Sequence, residues 1–128
     1  MKPNSGLHSK TSGIKKLVSN NKKLIINNIN KNKINKIPEK NSQIDHIFRK
    51  GDGHITFSEK NAQKLSNLIN NEKNIILEKD KYGKTWYAKI NKDGTQTWGS
   101  VYNNTLSDGG INSTPRKMNK ETGLNKFK

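Results

Sequence analysis

The chain has 128 residues, enough for one small domain, and only 28% of them are hydrophobic. Typical globular domains hold about 45–50% apolar residues, a range that also counts Gly, so we expect part of this chain to lie outside a packed core. The net charge of +15 favours a polyanionic partner, which can be nucleic acid, an anionic membrane or an acidic protein.

The composition and the N-terminus exclude several other classes. The chain has no cysteine, which rules out disulfides and thiolate zinc sites. No apolar run approaches the roughly 18 residues that span a bilayer. The first residues, MKPNSGLHSK, lack the apolar centre of a signal peptide. We therefore expect a protein with no membrane span that is cytoplasmic, or that is secreted by a route needing no signal peptide.

The N-terminal third differs in composition from the rest. Residues 1–40 contain ten Lys and one acid, a net charge of +9, whereas residues 41–128 contain fifteen basic and nine acidic residues, a net charge of +6. The N-terminal segment is nearly a low-complexity tract of Lys, Asn and Ile, and Asn disfavours helix interiors. We predict a disordered basic tail or linker over 1–42, with at most a marginal helix, and a folded domain over 43–128.

The stretch TFSEKNAQKLSNLINN, residues 56–71, has the pattern of a helix. Ser58 is a good N-cap residue, and Glu59 follows it in the first turn. Apolar residues recur on one helical face at Ala62, Leu65, Leu68 and Ile69. The stretch NIILE that follows, residues 74–78, predicts a short strand.

A β-hairpin is predicted around Asp93-Gly94, a dipeptide typical of hairpin turns. Trp86 shares one face of the first arm with Ala88 and Ile90, and we expect Trp86 and Trp98 to belong to the core. A second turn near residue 103 leads into a strand that ends near residue 111. From residue 115 we expect an irregular tail that packs through Leu124 or Phe127. The predicted class is α+β, with one or two helices packed on a small twisted antiparallel sheet.

The residues best suited to chemistry are His46, Arg49 and His54, which precede the predicted helix. Imidazole takes and gives protons near neutrality. Cleavage of RNA by its own 2′-hydroxyl needs a base, an acid and a cation that stabilises the charged phosphorane. Two histidines and one arginine supply these three functions without a metal or another cofactor. Histidines in a surface loop are also common without any catalytic role.

Other interpretations of the same stretch have less support. A zinc site needs more ligands than two histidines and scattered acids, and the KGDGH of residues 50–54 is not a phosphate-binding loop. Asp45-His46-Ile47 resembles the start of a metal-dependent HNH nuclease motif, with Asn67 as a forced middle residue and no convincing third element. A basic protein that binds nucleic acid without cleaving it, or a peptide acting on membranes, also fits the charge.

The predicted hairpin also carries polar residues that can meet a nucleic acid. A sheet face with Lys, Thr and Tyr can hold phosphates and stack bases. The candidate substrate-binding residues are Lys84, Tyr87, Lys89, Thr95 and Gln96.

Several short motifs in series resemble the C-terminal toxin domains of bacterial polymorphic and contact-dependent toxin systems. They are HIFRKGDGH, the capped helix, DKYGKTWYAKINKDGTQTW, GGIN and a terminal ETGL, and together they cover roughly residues 44–124. Such domains are assigned to the barnase-like, EndoU-like, colicin-like and RelE-like ribonucleases. These have helices packed on an antiparallel sheet.

The resemblance implies a metal-independent endoribonuclease toxin, delivered to the cytoplasm of a competitor cell. It implies that His46, Arg49 and His54 form the catalytic set, and that Lys89 and Thr95 contact phosphate. The implied partners are RNA, with tRNA among the candidates, and an acidic immunity protein, and we expect the toxin to be a monomer.

Overall fold

The computed structural model describes the backbone of residues 11–124 and the side chains of residues 21–124. Three helices precede the sheet: α1 (Thr11–Asn30), α2 (Asn41–Ile47) and α3 (Glu59–Ile69). A short 3-10 turn, Glu72–Asn74, connects α3 to the first strand. The strands are β1 (Ile75–Leu77), β2 (Thr85–Ile90), β3 (Gln96–Tyr102), β4 (Thr105–Asn112), β5 (Met118–Asn119) and β6 (Gly123–Leu124).

Helix α3 is the predicted helix and begins at the predicted cap. The Ser58 hydroxyl accepts a hydrogen bond from the backbone N–H of Asn61 at 3.0 Å, which satisfies a donor that the first turn leaves without a helical partner. The apolar face is buried as the spacing predicts, at Ala62, Leu65, Leu68 and Ile69.

The sheet is antiparallel, and its strands lie in the order β1-β2-β3-β4. Asp93-Gly94 forms the predicted turn between β2 and β3, with Ala88 opposite Trp98 in the register. Side chains alternate between the two faces of a strand. Tyr87 and Val101 join α3 in the main core on one face, whereas Trp86 and Trp98 lie on the other. The predicted α+β class, helices packed on an antiparallel sheet, is confirmed.

The main core reaches into the segment that was predicted as a tail. Ile26 and Ile29 of α1 and Ile37 after it are buried against α2, α3 and the sheet. The Asn30 side chain explains why an Asn-rich segment can pack: its Nδ2 donates to the Ile37 carbonyl at 2.9 Å, and its Oδ1 accepts from the Ile37 N–H at 2.8 Å. The packed unit therefore begins before residue 43. Residues 1–10 lie outside the described part of the chain.

A second, smaller apolar cluster covers the other face of the sheet. Trp98, Ala88 and Leu124 are buried there, and Trp86 packs against them. The indole rings of Trp86 and Trp98 are stacked, with centroids 5.8 Å apart. Leu124 packs against the sheet as predicted, but it does so from a short β5-β6 ribbon instead of an irregular tail. Phe127, the alternative anchor, lies outside the described residues.

Between residues 11 and 124, none of the helices has the length and apolar character that a membrane crossing requires.

Candidate functional site

His46, Arg49 and His54, the three residues predicted to be catalytic, lie close together beside β4. His46 lies in the last turn of α2, and the other two follow in the loop that leads to α3. The carboxylate of Asp108 on β4 lies between the two imidazoles. Its Oδ2 is 3.7 Å from His46 Nε2 and its Oδ1 is 3.9 Å from His54 Nδ1. The structure thus brings both predicted histidines to one carboxylate.

Hydrogen bonds determine the tautomer of His54. The Nη2 atom of Arg49 lies 2.8 Å from His54 Nε2. A guanidinium nitrogen can only donate, so Nε2 is the accepting nitrogen and the ring proton lies on Nδ1. Nδ1 then donates to the carbonyl of Gly109 at 3.2 Å. With Arg49 as the donor, the Nε2 lone pair of His54 faces the Arg49 guanidinium.

The two histidines differ in exposure. The His46 side chain is 60% exposed, whereas that of His54 is 12% exposed and meets the Trp98 ring edge to face at 5.7 Å. His46 can exchange protons with solvent, and His54 is fixed by packing and by its two hydrogen bonds. The pair thus combines an accessible acid–base group with an oriented one.

Two glycines let the loop between α2 and α3, residues 48–58 and here called the histidine loop, approach the sheet. Gly53 has a positive φ of 83°, which favours glycine, and its carbonyl accepts a hydrogen bond from Trp98 Nε1 at 2.9 Å. Gly110 lies on β4 below the loop, and a Cβ there would overlap the Gly53 carbonyl and the His54 backbone. Bare backbone at both positions is what places His54 beside Asp108.

Arg49, His54 and Asp108 border a cavity of about 420 Å³, here called the histidine cavity. Its polar lining residues are Arg49, Asp52, His54, Asp108, Asn112 and Arg116, and its apolar ones are Trp86, Trp98 and Leu124. Arg116 Nη2 lies 3.2 Å from the Asp52 carboxylate at the exposed side of the cavity. The volume falls at the low end of the roughly 300–1,000 Å³ typical of small-molecule sites.

Two buried polar atoms of the histidine cavity have no hydrogen-bond partner in the described part of the chain: Arg49 Nη1 and Asn112 Oδ1. Leaving a buried donor or acceptor unpaired costs about 1–3 kcal/mol. Native proteins rarely keep buried polar atoms unpaired without a reason. One such reason is a ligand that forms hydrogen bonds with them when it binds. One atom is a donor and the other an acceptor, so a ligand with both kinds of group fits the cavity.

Asp80 holds Trp86, one wall of the cavity, in place. Its Oδ2 accepts from Trp86 Nε1 at 2.8 Å, and its Oδ1 accepts from the backbone N–H groups of Tyr82 and Lys84 at 2.8 and 2.9 Å. Burial alone would raise the pKa of Asp80, but the hydrogen bonds from Trp86, Lys84 and Tyr82 outweigh it and leave the pKa below its usual value. The carboxylate is therefore ionised and bonded at neutral pH.

Of the predicted substrate-binding residues, none lines the histidine cavity. Tyr87 is 6% exposed and lies in the core under α3, where its hydroxyl accepts from Asn35 Nδ2 at 3.1 Å. Lys84 is half-buried in the Asp80 turn, with its backbone N–H on the carboxylate. Gln96 is also 6% exposed, and it contacts Asn112 and Arg116 of the cavity wall.

Lys89 and Thr95 lie in a different depression of about 460 Å³, here called the lysine cavity. Its other lining residues are Lys64, Asn67, Asn91, Lys92, Asp93, Thr97 and Ile111. Because it includes residues of α3, it lies on the helix-covered face of the sheet. The predicted phosphate-contacting pair is thus separated from the predicted catalytic set by the sheet.

A metal-dependent interpretation gains no support from the positions of its residues. Asn67 lines the lysine cavity, and its Oδ1 accepts from Gln63 at 3.0 Å, so it does not join His46 in one site. Between residues 11 and 124, no three His, Cys, Asp or Glu side chains are grouped closely enough to hold a metal ion.

Sequence reasoning missed three residues of the site: Asp108, Asn112 and Arg116. A weak signal existed for Asp108, because Asp is unfavourable within strands and this one lies inside the strand predicted to end near residue 111. Asn112 and Arg116 had no comparable signal, since their role depends on how β4 and the segment after it meet the loop 50 or more residues earlier. Comparisons with protein-family models, curated proteins and solved structures found no match to this chain.

Proposed function

We propose that this protein is a bacterial toxin with metal-independent endoribonuclease activity. The observation that carries the proposal is that His46 and His54 flank the Asp108 carboxylate and that Arg49 contacts His54, at the edge of the histidine cavity. Two imidazoles and a guanidinium are the groups that cleavage of RNA by its 2′-hydroxyl requires.

His54 is the base in this mechanism. Its neutral ring has the lone pair on Nε2, the nitrogen that Arg49 contacts. When Arg49 turns its Nη2 hydrogen to a phosphate oxygen of the substrate, Nε2 becomes free to take the 2′-hydroxyl proton. The O2′ atom then attacks phosphorus, and the guanidinium stabilises the charge on the non-bridging oxygens.

His46 is the acid. Its imidazolium form is stabilised by the Asp108 carboxylate at 3.7 Å, and it gives its proton to the departing O5′. The P–O5′ bond breaks, which leaves a 2′,3′-cyclic phosphate on one fragment and a 5′-hydroxyl on the other. The proton lost from the 2′-hydroxyl ends on His54, so the reaction consumes neither metal nor cofactor.

The net charge of +15 supports RNA as the substrate, because Lys and Arg side chains bind phosphates independently of sequence. The same charge supports an acidic immunity protein as the partner that protects the producing cell. The motif series that resembles polymorphic toxin domains supports delivery to the cytoplasm of a target cell and action as a monomer. tRNA, rRNA and mRNA are all candidate substrates.

The test is cleavage of a labelled RNA by the purified full chain in excess EDTA. We expect cleavage in EDTA, products with 2′,3′-cyclic phosphate ends, and a loss of at least about 100-fold in His46→Ala and His54→Ala. Arg49→Ala should lose about 100- to 1,000-fold, as expected for removal of a group that stabilises developing charge.

Lys73→Ala is the matched control, since it removes one exposed positive charge from a part of the chain outside both cavities. Activity that disappears in EDTA and returns with Mg²⁺ or Zn²⁺ would favour the HNH nuclease alternative. Near-normal cleavage by both histidine variants would refute the proposal.

Non-catalytic binding of nucleic acid is the second candidate, favoured by the charge alone. It predicts no cleavage by the wild-type protein, binding that weakens steeply with salt, and equal affinity of the histidine variants and the wild type.

A further inference from the structure

The orientation of the Asn112 side-chain amide follows from two hydrogen bonds to Gln96. The backbone N–H of Arg116 donates to Gln96 Oε1 at 3.0 Å, which identifies that atom as the carbonyl oxygen. Asn112 Nδ2 donates to the same oxygen at 2.8 Å. The other amide atom of Asn112 is therefore the oxygen, and its orientation is fixed by a neighbour that itself is only 6% exposed.

The Asn112 side chain lines the histidine cavity. Asn112 is 2% exposed, and its Oδ1 atom has no hydrogen-bond partner in the described residues. A Cβ at Gly53 would lie 2.8 Å from it, so only glycine fits at that position without displacing the amide. A preset acceptor that nothing in the described fold occupies is a group prepared for an N–H or O–H donor of a ligand.

The other groups that line the cavity indicate which class of ligand it binds. The indoles of Trp86 and Trp98 and the Leu124 side chain supply an apolar wall, and the unpaired Nη1 of Arg49 supplies a donor with positive charge. A nucleotide has the matching parts: a flat apolar base with N–H groups on its edge, joined to an anionic phosphate. Proteins that recognise RNA sequence take single unstacked bases against aromatic side chains and bond their edges.

We propose that the histidine cavity binds one nucleobase of a single-stranded RNA and that Asn112 is the residue that reads it, through an N–H edge on Oδ1. Arg49 Nη1 bonds the adjoining phosphate. Gln96 is a positioning residue that fixes the Asn112 amide. The proposal rests on the ribonuclease function and adds to it the site of base preference.

Intrinsic fluorescence gives a direct readout, because the chain has only two tryptophans and both line this cavity. The experiment titrates the full-length His46→Ala protein with the four nucleoside 3′-monophosphates and with ribose 5-phosphate, which lacks a base. His46→Ala prevents turnover, and His46 does not line the cavity. We expect one nucleotide to bind about tenfold or more tightly than ribose 5-phosphate and than the weakest nucleotide.

Two substitutions at Asn112 then test its role in the His46→Ala background. Asn112→Leu has a similar size but no acceptor, and we expect the four nucleotides to bind within about twofold of one another. Asn112→Asp keeps an oxygen at the reading position and should retain the order of preference. Thermal unfolding of each variant establishes that it is folded.

If Asn112→Leu fails to fold, the inference is tested on the protein that keeps Asn112. The preferred nucleotide is compared with its analogue methylated at the N–H groups of the base, which should bind about tenfold more weakly. Equal binding of all four nucleotides and ribose 5-phosphate overturns the inference, whatever the variants do.

The outcomes separate this inference from the ribonuclease proposal. Base-dependent binding without any RNA cleavage supports the base site and refutes the enzyme. Cleavage of RNA with no base preference in the binding titration supports the enzyme and refutes the base site.

Discussion

The histidine cavity and the lysine cavity have similar volumes, about 420 and 460 Å³, and lie on opposite faces of one sheet, yet their polar groups are used differently. In the lysine cavity the side chains satisfy one another. Asn91 Nδ2 donates to the hydroxyls of Thr95 and Thr97, both at 2.9 Å, and the Thr95 hydroxyl donates to Asp93 at 2.6 Å. In the histidine cavity, Arg49 Nη1 and Asn112 Oδ1 are buried and unpaired.

The two cavities are therefore two different kinds of positively charged site. A group of lysines around a self-satisfied turn attracts any polyanion and depends on ionic strength. A pocket with oriented, unpaired atoms and the His54 imidazole fits particular atoms of a ligand. Substitutions in the two cavities should therefore differ in size and in kind.

Among substitutions outside the predicted catalytic set, the largest effect on cleavage is expected from Asp108→Asn. An uncharged amide stabilises the His46 imidazolium less than the carboxylate does. The two side chains are 3.7 Å apart and His46 is 60% exposed, so loss of this ion pair costs about 0.2–1 kcal/mol and lowers the cleavage rate by up to about fivefold. We expect kcat to fall with little change in KM, as measured by steady-state cleavage of a labelled RNA.

A drop in Asp108→Asn activity that follows a loss of folded protein would point to a structural role only. Thermal unfolding of the variant distinguishes the two cases. An unchanged kcat would contradict a role of Asp108 on His46.

The next effect is on stability and concerns the wall that Trp86 provides. Because the folded-state pKa of Asp80 is lowered, its ionised form stabilises the fold above the ordinary value of 3.8, and this contribution is lost as pH falls through the lower folded pKa. Asp80→Asn should lower the free energy of unfolding by about 1–3 kcal/mol at neutral pH. Denaturant unfolding from pH 7 to pH 3 should show the difference from wild type shrinking below about pH 4.

Glu78→Gln serves as the matched control, since it removes an exposed acid two residues away. A similar loss of stability in both variants would mean that net charge, and not the three hydrogen bonds to Asp80, accounts for the effect.

The smallest effect is expected in the lysine cavity. Lys89→Ala removes one exposed cation, so cleavage at low salt should fall by no more than about twofold. The slope of log affinity against log salt should decrease by about one. The measurement is RNA binding and cleavage between 50 and 200 mM salt, with Lys73→Ala for comparison. A loss of 100-fold in Lys89→Ala would reverse the assignment of the two cavities.

The parts of the fold that the sequence predicted are those governed by local pattern. Helix α3 followed from its cap and its apolar spacing, and the β2-β3 hairpin from Asp93-Gly94. The histidines were predictable as a group because His46, Arg49 and His54 lie within nine residues, and a short loop keeps its members close. Whether they catalyse a reaction stays a prediction.

The remainder depended on long-range packing. Alternation along β2 separates Trp86 from Tyr87 but does not tell which face α3 covers, so Tyr87 was assigned to the substrate and is found in the core. The Asn residues of the N-terminal segment suggested disorder, whereas Asn30 and Asn35 bond buried backbone of distant residues. Composition alone cannot distinguish an amide facing water from one paired inside the fold.

The close approach of the histidine loop to β4 determines how the site unfolds. The loop lies directly on Gly110, and the Gly53 carbonyl is bonded to Trp98, so lifting the loop separates His54 from Asp108 and uncovers the indole in one movement. His54 and the tryptophan wall thus belong to a single cooperative unit. Under the proposed function, partial unfolding of this loop abolishes RNA cleavage and base binding together.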